Sequence, residues 1–222
     1  MSTSDRILYT GTQNASSWAL RAWLALKEGG IPFEERLIDI RAPQRTANLA
    51  RIGQFSPSRT VPALTEGELV IFDSLAIMEY ANDLCGGLLL PKDARSRARC
   101  RSFLAWQHSG MSNICPKLSF ESAFYPNRRG MTREEQSEAK RAFDTWEAQL
   151  IASGGPYLFE SLSLADIGFV PSVLRLSVHA PSLSAWPRVQ VWAKTLLERS
   201  AVREWLDIAE PLEPVWYDEY LA

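Results

Sequence analysis

The chain is poor in soft ligands and carries no excess of either charge. Its 222 residues include two histidines and three cysteines. His108 and His179 lie far apart with no acidic neighbour at ligand spacing, so no metal site is expected. Cys85, Cys100 and Cys115 are odd in number and widely spaced, which supports neither a disulfide framework nor a CxxC redox or zinc pair. They read as buried thiols in a reducing compartment. No run approaches the roughly 18 uninterrupted apolar residues of a membrane-spanning helix, and the opening MSTSDR lacks the basic flank and apolar run of a signal peptide. A cytoplasmic protein is expected, with no membrane partner. The 24 basic and 26 acidic residues leave a formal charge of −2, which gives no electrostatic reason for a nucleic-acid partner. Arg95, Arg97, Arg99 and Arg101 alternate along a helical stretch and read as a solvated face. No internal repeat or low-complexity segment appears.

What is present changes character once. Through residue 84, short strand patterns alternate with helical ones. RILYTG (6–11) is a β-branched and aromatic run closed by Gly11, and the stretch from Ser16 to about Lys27 carries the helical period through Trp18, Leu20, Trp23, Leu24 and Leu26. Gly29 and Gly30 end that helix, and FEERLIDI (33–40) follows as a second strand, which argues for a parallel βαβ unit. A weak helix lies between Pro43 and Pro57. VPALTEGELVIFD supplies two short strands turning at Glu66-Gly67, and SLAIMEYANDL a helix. The order is βαβαββα. CGGLLLPKDA (85–94) breaks the pattern as a linker. From 95 to 222 strand signals almost vanish, and helices are expected at about 95–124, 132–153, 163–178, 187–198 and 201–209.

TQNASSWALRAWLAL (12–26) places two hydroxyls, Ser16 and Ser17, at a helix start. The ordinary reading is a helix cap. The other is chemistry, because a hydroxyl beside free backbone N–H groups at the positive end of the helix dipole is placed to hold an anion.

A βαβαββα unit followed by helices, with RTVPAL before the third strand and FDSLAIMEY after the fourth, resembles the cytosolic glutathione transferases over nearly the whole chain. SSWALRAWLALKEGGIPFEE is similar to the serine-type members, in which a serine is followed five residues later by arginine, here Ser16 and Arg21. FVPSV and the register of the first helix resemble the zeta class. The resemblance implies a thioredoxin-like α/β domain over 1–84 that binds glutathione as co-substrate, with no metal. It implies an all-α domain over 95–222 flanking an apolar electrophile, and a homodimer. Matched backwards from FEE, the catalytic serine falls on Ser16; matched forwards from ILY, it falls on Asn14. The helix is the rigid element, so Ser16 is preferred, with Ser17 a close alternative.

The chemistry explains the serine. Glutathione's thiol should resemble free cysteine, with a pKa of about 8.5, and is mostly protonated at neutral pH. A hydroxyl donating to sulfur favours the thiolate. A shift of about two units corresponds to roughly 2.7 kcal/mol. Further site residues follow from the same resemblance. The Val61-Pro62 bond is expected cis, with the backbone of Val61 pairing with glutathione's cysteinyl unit. Asp73 and Ser74 form an N-cap pair that faces the γ-glutamyl group. Arg59 reaches the glycyl carboxylate or is a solvated side chain, and Gln44 and Arg45 are weaker candidates for the same role. Trp106, His108, Met111 and Phe124 are either core or the lining of an apolar pocket. Ser163 and Asp166 form a structural capping box.

The arginine that zeta-class isomerases carry matches Val178, with Arg175 one turn earlier, so a hydrophobic electrophile is favoured over a diacid. Two alternatives stay open, a glutathione-dependent cis-trans isomerase of the maleylacetoacetate type and a non-catalytic binding module of the same fold.

Overall fold

The computed structural model describes residues 5–111 and 114–216. Part of the N-terminal leader expectation and part of the expected helix 95–124 lie outside the described residues. The thioredoxin-like half runs β1 (Arg6–Gly11), α1 (Ser17–Glu28), β2 (Glu34–Ile38), α2 (Arg45–Ile52), β3 (Ala63–Glu66), β4 (Leu69–Phe72) and α3 (Ser74–Leu84). The four strands form one sheet in the order β2-β1-β3-β4. β1 runs parallel to β2, with Ile7 opposite Glu34, and antiparallel to β3, with Leu8 opposite Leu64. A right-handed βαβ crossover then requires α1 to lie against the sheet. It does so with Ala19, Leu20, Ala22, Trp23, Leu24, Ala25 and Leu26 all buried.

Among the described residues five α-helices and two turns complete the second half: α4 (Ala94–Ala105), a π-helical turn (Trp106–Gly110), a 3-10 turn (Glu121–Phe124), α5 (Arg133–Ser153), α6 (Leu164–His179), α7 (Pro187–Leu197) and α8 (Ser200–Ala209). The single long helix expected over 95–124 is therefore replaced by α4 and two tight turns. Helix α6 is buried on nearly every face, as an enclosed helix is, and it packs against α1, α4 and α7. Its capping box is present, since Ser163 Oγ accepts from Asp166 N–H while Asp166 accepts from Ser163 N–H. Asp166 also accepts from Leu158 N–H and Trp192 Nε1, both at 2.9 Å. An additional box, Thr132 with Glu135, opens α5.

Two surface expectations change. Arg97 donates to the carbonyls of Pro91 and Lys92, Arg99 to Gln149, and Arg101 pairs both ways with Glu79, so this arginine run ties α4 to its neighbours as well as meeting solvent. Of the three thiols only Cys100 is buried; Cys85 and Cys115 are half-buried.

Candidate functional site

The N-terminus of α1 opens onto a cavity of about 790 Å³ between the two halves of the chain. Ser16 occupies the N-cap position but makes no capping hydrogen bond with its side chain. This corrects the plain cap reading. Only its carbonyl joins the helix, accepting from Leu20 N–H at 3.1 Å. Ser16 is buried, Ser17 is half-buried, and both line the cavity. Gly11 makes room for Ser16, because a Cβ on Gly11 would lie 2.8 Å from Ser16 Oγ. Asn14 is turned elsewhere. Its amide donates to the carbonyl of Glu213 at 2.9 Å, and the same C-terminal segment is held by Tyr125 Oη on the carbonyl of Val215 at 2.8 Å.

Arg21, one turn into α1, also reaches the cavity wall. Its Nε donates to the Gly168 carbonyl in α6, its guanidinium lies 4.3 Å from the centre of the Trp18 ring, and its Nη1 is buried without a hydrogen-bond partner. Burial, and next the like charge of Arg175, lower its pKa to about 9. The group therefore stays cationic at neutral pH, at a solvation cost.

The sheet side supplies Val61, Pro62, Asp73 and Ser74 to the same cavity. The Val61-Pro62 bond is cis, as is Ala42-Pro43, which was not anticipated. Asp73 alone caps α3, accepting from Leu75 N–H at 2.8 Å, while the buried Ser74 hydroxyl has no partner. Asp73 holds this geometry at φ 90°. Such a backbone costs on the order of 1–3 kcal/mol in a residue with a side chain, and strain of this kind clusters at binding sites. His108 Nε2 lies 3.4 Å from Asp73 Oδ2, and its ring meets the edge of Trp18 at 5.2 Å.

The remaining expectations divide. Arg45 lines the cavity, whereas Gln44 and Arg59 do not. Arg59 sits at φ 53° and packs its Cγ and Cδ toward Gly53, which takes it off the site. His108 and Met111 line the cavity; Trp106 and Phe124 pack against the core instead. The far wall is more polar than expected. It includes Gln107, Cys115, Ser119, Glu121 and Arg175. Arg175 Nε donates to the Pro171 carbonyl and Nη1 to those of Cys115 and Leu118. Val178 is absent from the wall. Among the described residues no group of three or more His, Cys, Asp or Glu is arranged to hold a metal ion, and no described helix is long and apolar enough to cross a membrane.

Comparison with known proteins agrees with this architecture. The family model "Glutathione S-transferase, N-terminal domain" matches residues 15–84 and "Glutathione S-transferase, C-terminal domain" matches residues 131–207. A probable maleylacetoacetate isomerase of Caenorhabditis elegans is 32% identical over 201 residues, covering 89% of this chain and 91% of that one. Glutathione S-transferase theta-3 of Mus musculus is 25% identical over 180 residues, covering 74% and 73%. The solved structure of glutathione S-transferase-I bound with the ligand lactoylglutathione has a TM-score of 0.75 at 26% identity, covering 91% of this chain and 99% of that chain. With two family models matched in order and a relative at 32% identity along 89% of this chain, the chain belongs to the glutathione S-transferase family.

Proposed function

We propose that this chain is a cytoplasmic, homodimeric glutathione transferase in which Ser16 donates its hydroxyl hydrogen to the glutathione thiolate. Residues 1–84 hold glutathione, 95–222 flank the second substrate, and 85–94 join them. The observation that carries the reading is the Ser16 hydroxyl: it lies at the N-terminus of α1, lines the cavity, and is not engaged in capping. A serine with only a capping role would have its oxygen on the N–H groups of the first turn. The cationic Arg21 and the helix dipole add positive potential at the same place. Serine is no base at neutral pH, so the thiol proton leaves to water and the hydroxyl stabilises what remains.

In this reading the Val61 backbone pairs with the cysteinyl unit, Asp73 and Ser74 face the γ-glutamyl group, and Arg45 takes the glycyl carboxylate in place of Arg59. Exposed Leu69 and Phe72 on the edge strand β4, with Leu84 and Leu88 nearby in sequence, offer apolar surface for a second copy.

The test is Ser16→Ala beside Ser17→Ala. Ser16→Ala should keep the fold and most glutathione affinity while losing at least about tenfold in kcat, since a hydrogen bond to a charged group contributes roughly 1.5–3 kcal/mol. Full activity in Ser16→Ala with an inactive Ser17→Ala moves the role to Ser17.

A second reading, glutathione-dependent cis-trans isomerisation of a diacid, is favoured by one observation. Arg175 lines the cavity, and its Nη2 has no hydrogen-bond partner among the described residues. An arginine there suits a carboxylate. Isomerisation of a maleyl-type diacid that collapses in Arg175→Ala, with an apolar electrophile left unconjugated, selects this reading over transfer.

A further inference from the structure

The three free thiols sit in different surroundings. Cys100 is fully buried, and burial pushes its thiol up to about 11, which leaves it inert. Cys85 follows α3, where its Sγ donates to the Asn82 carbonyl at 3.3 Å. Cys115 alone of the three lines the cavity, half-buried.

Two arginines flank Cys115. Arg175 Nη1 donates to its carbonyl at 3.1 Å and its N–H donates to the Met111 carbonyl at 3.0 Å, so the backbone that carries the sulfur is held on both sides. A charge on Cys115 also acts on Arg21 of α1. Arg21 Nη1 is buried without a partner, as is the Ser119 hydroxyl four residues after Cys115, and both residues line the same cavity. A partly exposed, electropositive setting is the one in which a cysteine reacts, since the thiolate is the nucleophile. Unmet buried donors on the same walls favour a ligand that brings acceptors.

We propose that Cys115 is a modification site for the glutathionyl group, delivered by glutathione disulfide, and that the adduct shuts off the transferase. The loss of rate rests on the transferase reading; the adduct itself does not. The Cys115 thiolate attacks one sulfur of the disulfide. The new sulfur–sulfur bond forms as the old one breaks, and the electron pair leaves on the second sulfur as glutathione thiolate, while the Cys115 proton has gone to water. The cysteine sulfur is oxidised and one glutathione sulfur reduced, so no further oxidant is needed. The carboxylates of the attached tripeptide suit the guanidinium groups of Arg21 and Arg175. A pocket of about 300–1,000 Å³ serves one drug-sized ligand. In a cavity of about 790 Å³, a tripeptide fixed to the wall therefore takes the space of the electrophile.

The full chain, as wild type and Cys115→Ser, is incubated with glutathione disulfide, and intact and peptide masses are read before and after dithiothreitol. Conjugation of 1-chloro-2,4-dinitrobenzene is measured on the same samples, each referred to its own untreated rate. Wild type should gain one glutathionyl group on Cys115, its rate should fall in proportion to the modified fraction, and dithiothreitol should reverse both. Cys115→Ser should gain none at that position and keep its own rate. S-Methylglutathione, which has no disulfide to exchange, should slow the modification by occupying the cavity. Peptide mapping of wild type stands as a test even if Cys115→Ser fails to fold. No adduct, an adduct confined to Cys85, or an adduct on Cys115 that leaves the rate unchanged overturns the proposal. Wild type that takes the adduct but is inert before treatment overturns the transferase reading and leaves the modification site standing.

Discussion

Arg21 in α1 donates from Nε to the carbonyl oxygen of Gly168 in α6 across 2.9 Å, a contact between residues 147 positions apart. The helix that presents Ser16 is thereby tied to the most enclosed helix of the other half. The contact holds a guanidinium in a place that solvates it poorly, with Nη1 unpartnered.

Replacing Arg21 with methionine should separate stability from activity. Exchanging a buried charge for an apolar side chain of similar length is commonly neutral or stabilising, by up to about 4 kcal/mol. The melting temperature at pH 7 should hold or rise, while kcat falls at least about tenfold for want of positive potential near the thiolate. The folded-state pKa of about 9 lies well below the ordinary range of an arginine, so the native state releases this proton before the unfolded chain does. Wild-type stability relative to Arg21→Met should accordingly rise as pH climbs past about 9. Loss of stability with kcat intact would assign Arg21 to structure alone.

Gly11→Ala tests how closely Ser16 is placed. The new Cβ would meet Ser16 Cβ and Oγ at 2.8 Å and Ile40 Cδ1 at 2.9 Å. Something must move, at a cost of about 1–3 kcal/mol. A displacement near 1 Å at a reacting group costs on the order of a hundredfold in rate. The expected result is a modest drop in melting temperature with a much larger drop in kcat; a wild-type kcat would show that the serine position is not critical.

Asp166→Ala should destabilise more than a lost cap. A reciprocal cap alone is worth about 0.5–2 kcal/mol. Here the carboxylate also satisfies Leu158 N–H and Trp192 Nε1, both buried. Leaving those donors unmet raises the cost to about 3 kcal/mol or more, a fall of roughly 6–12 °C in melting temperature for a chain of this size. The KM for glutathione should stay near wild type in the fraction that remains folded, and a fall of under 2 °C would discount the network.

The order of strands and helices was legible because hydrophobic period reports backbone geometry directly. The runs around Leu8, Leu20, Leu64 and Ile77 become the buried faces their spacing indicates. Ser16, Val61, Pro62, Asp73 and Ser74 were legible as a group through resemblance, and all line one cavity. The far wall was not. A helical period extended from 95 to 124 sets Trp106 and Phe124 beside the site, but the π-helical turn at Trp106–Gly110 adds a residue to the winding. Beyond Gly110 the described chain follows turns and the 3-10 turn Glu121–Phe124, so a 3.6-residue count no longer reports which side chains face the cavity. Glu121, Ser119 and Cys115 were therefore invisible to periodicity. Arg59 stayed open between the glycyl carboxylate and solvent, because no propensity foretells its φ of 53° or its exposed side chain.

The amide of Asn14 and the carbonyl of Glu213 are separated by 199 positions. As the chain is synthesised, the sheet and α1 can associate early, but the loop leading into Ser16 has no C-terminal segment to grip until nearly the whole chain has emerged. Closing so long a loop is entropically slow. The site is thus completed last, after the scaffold that carries it.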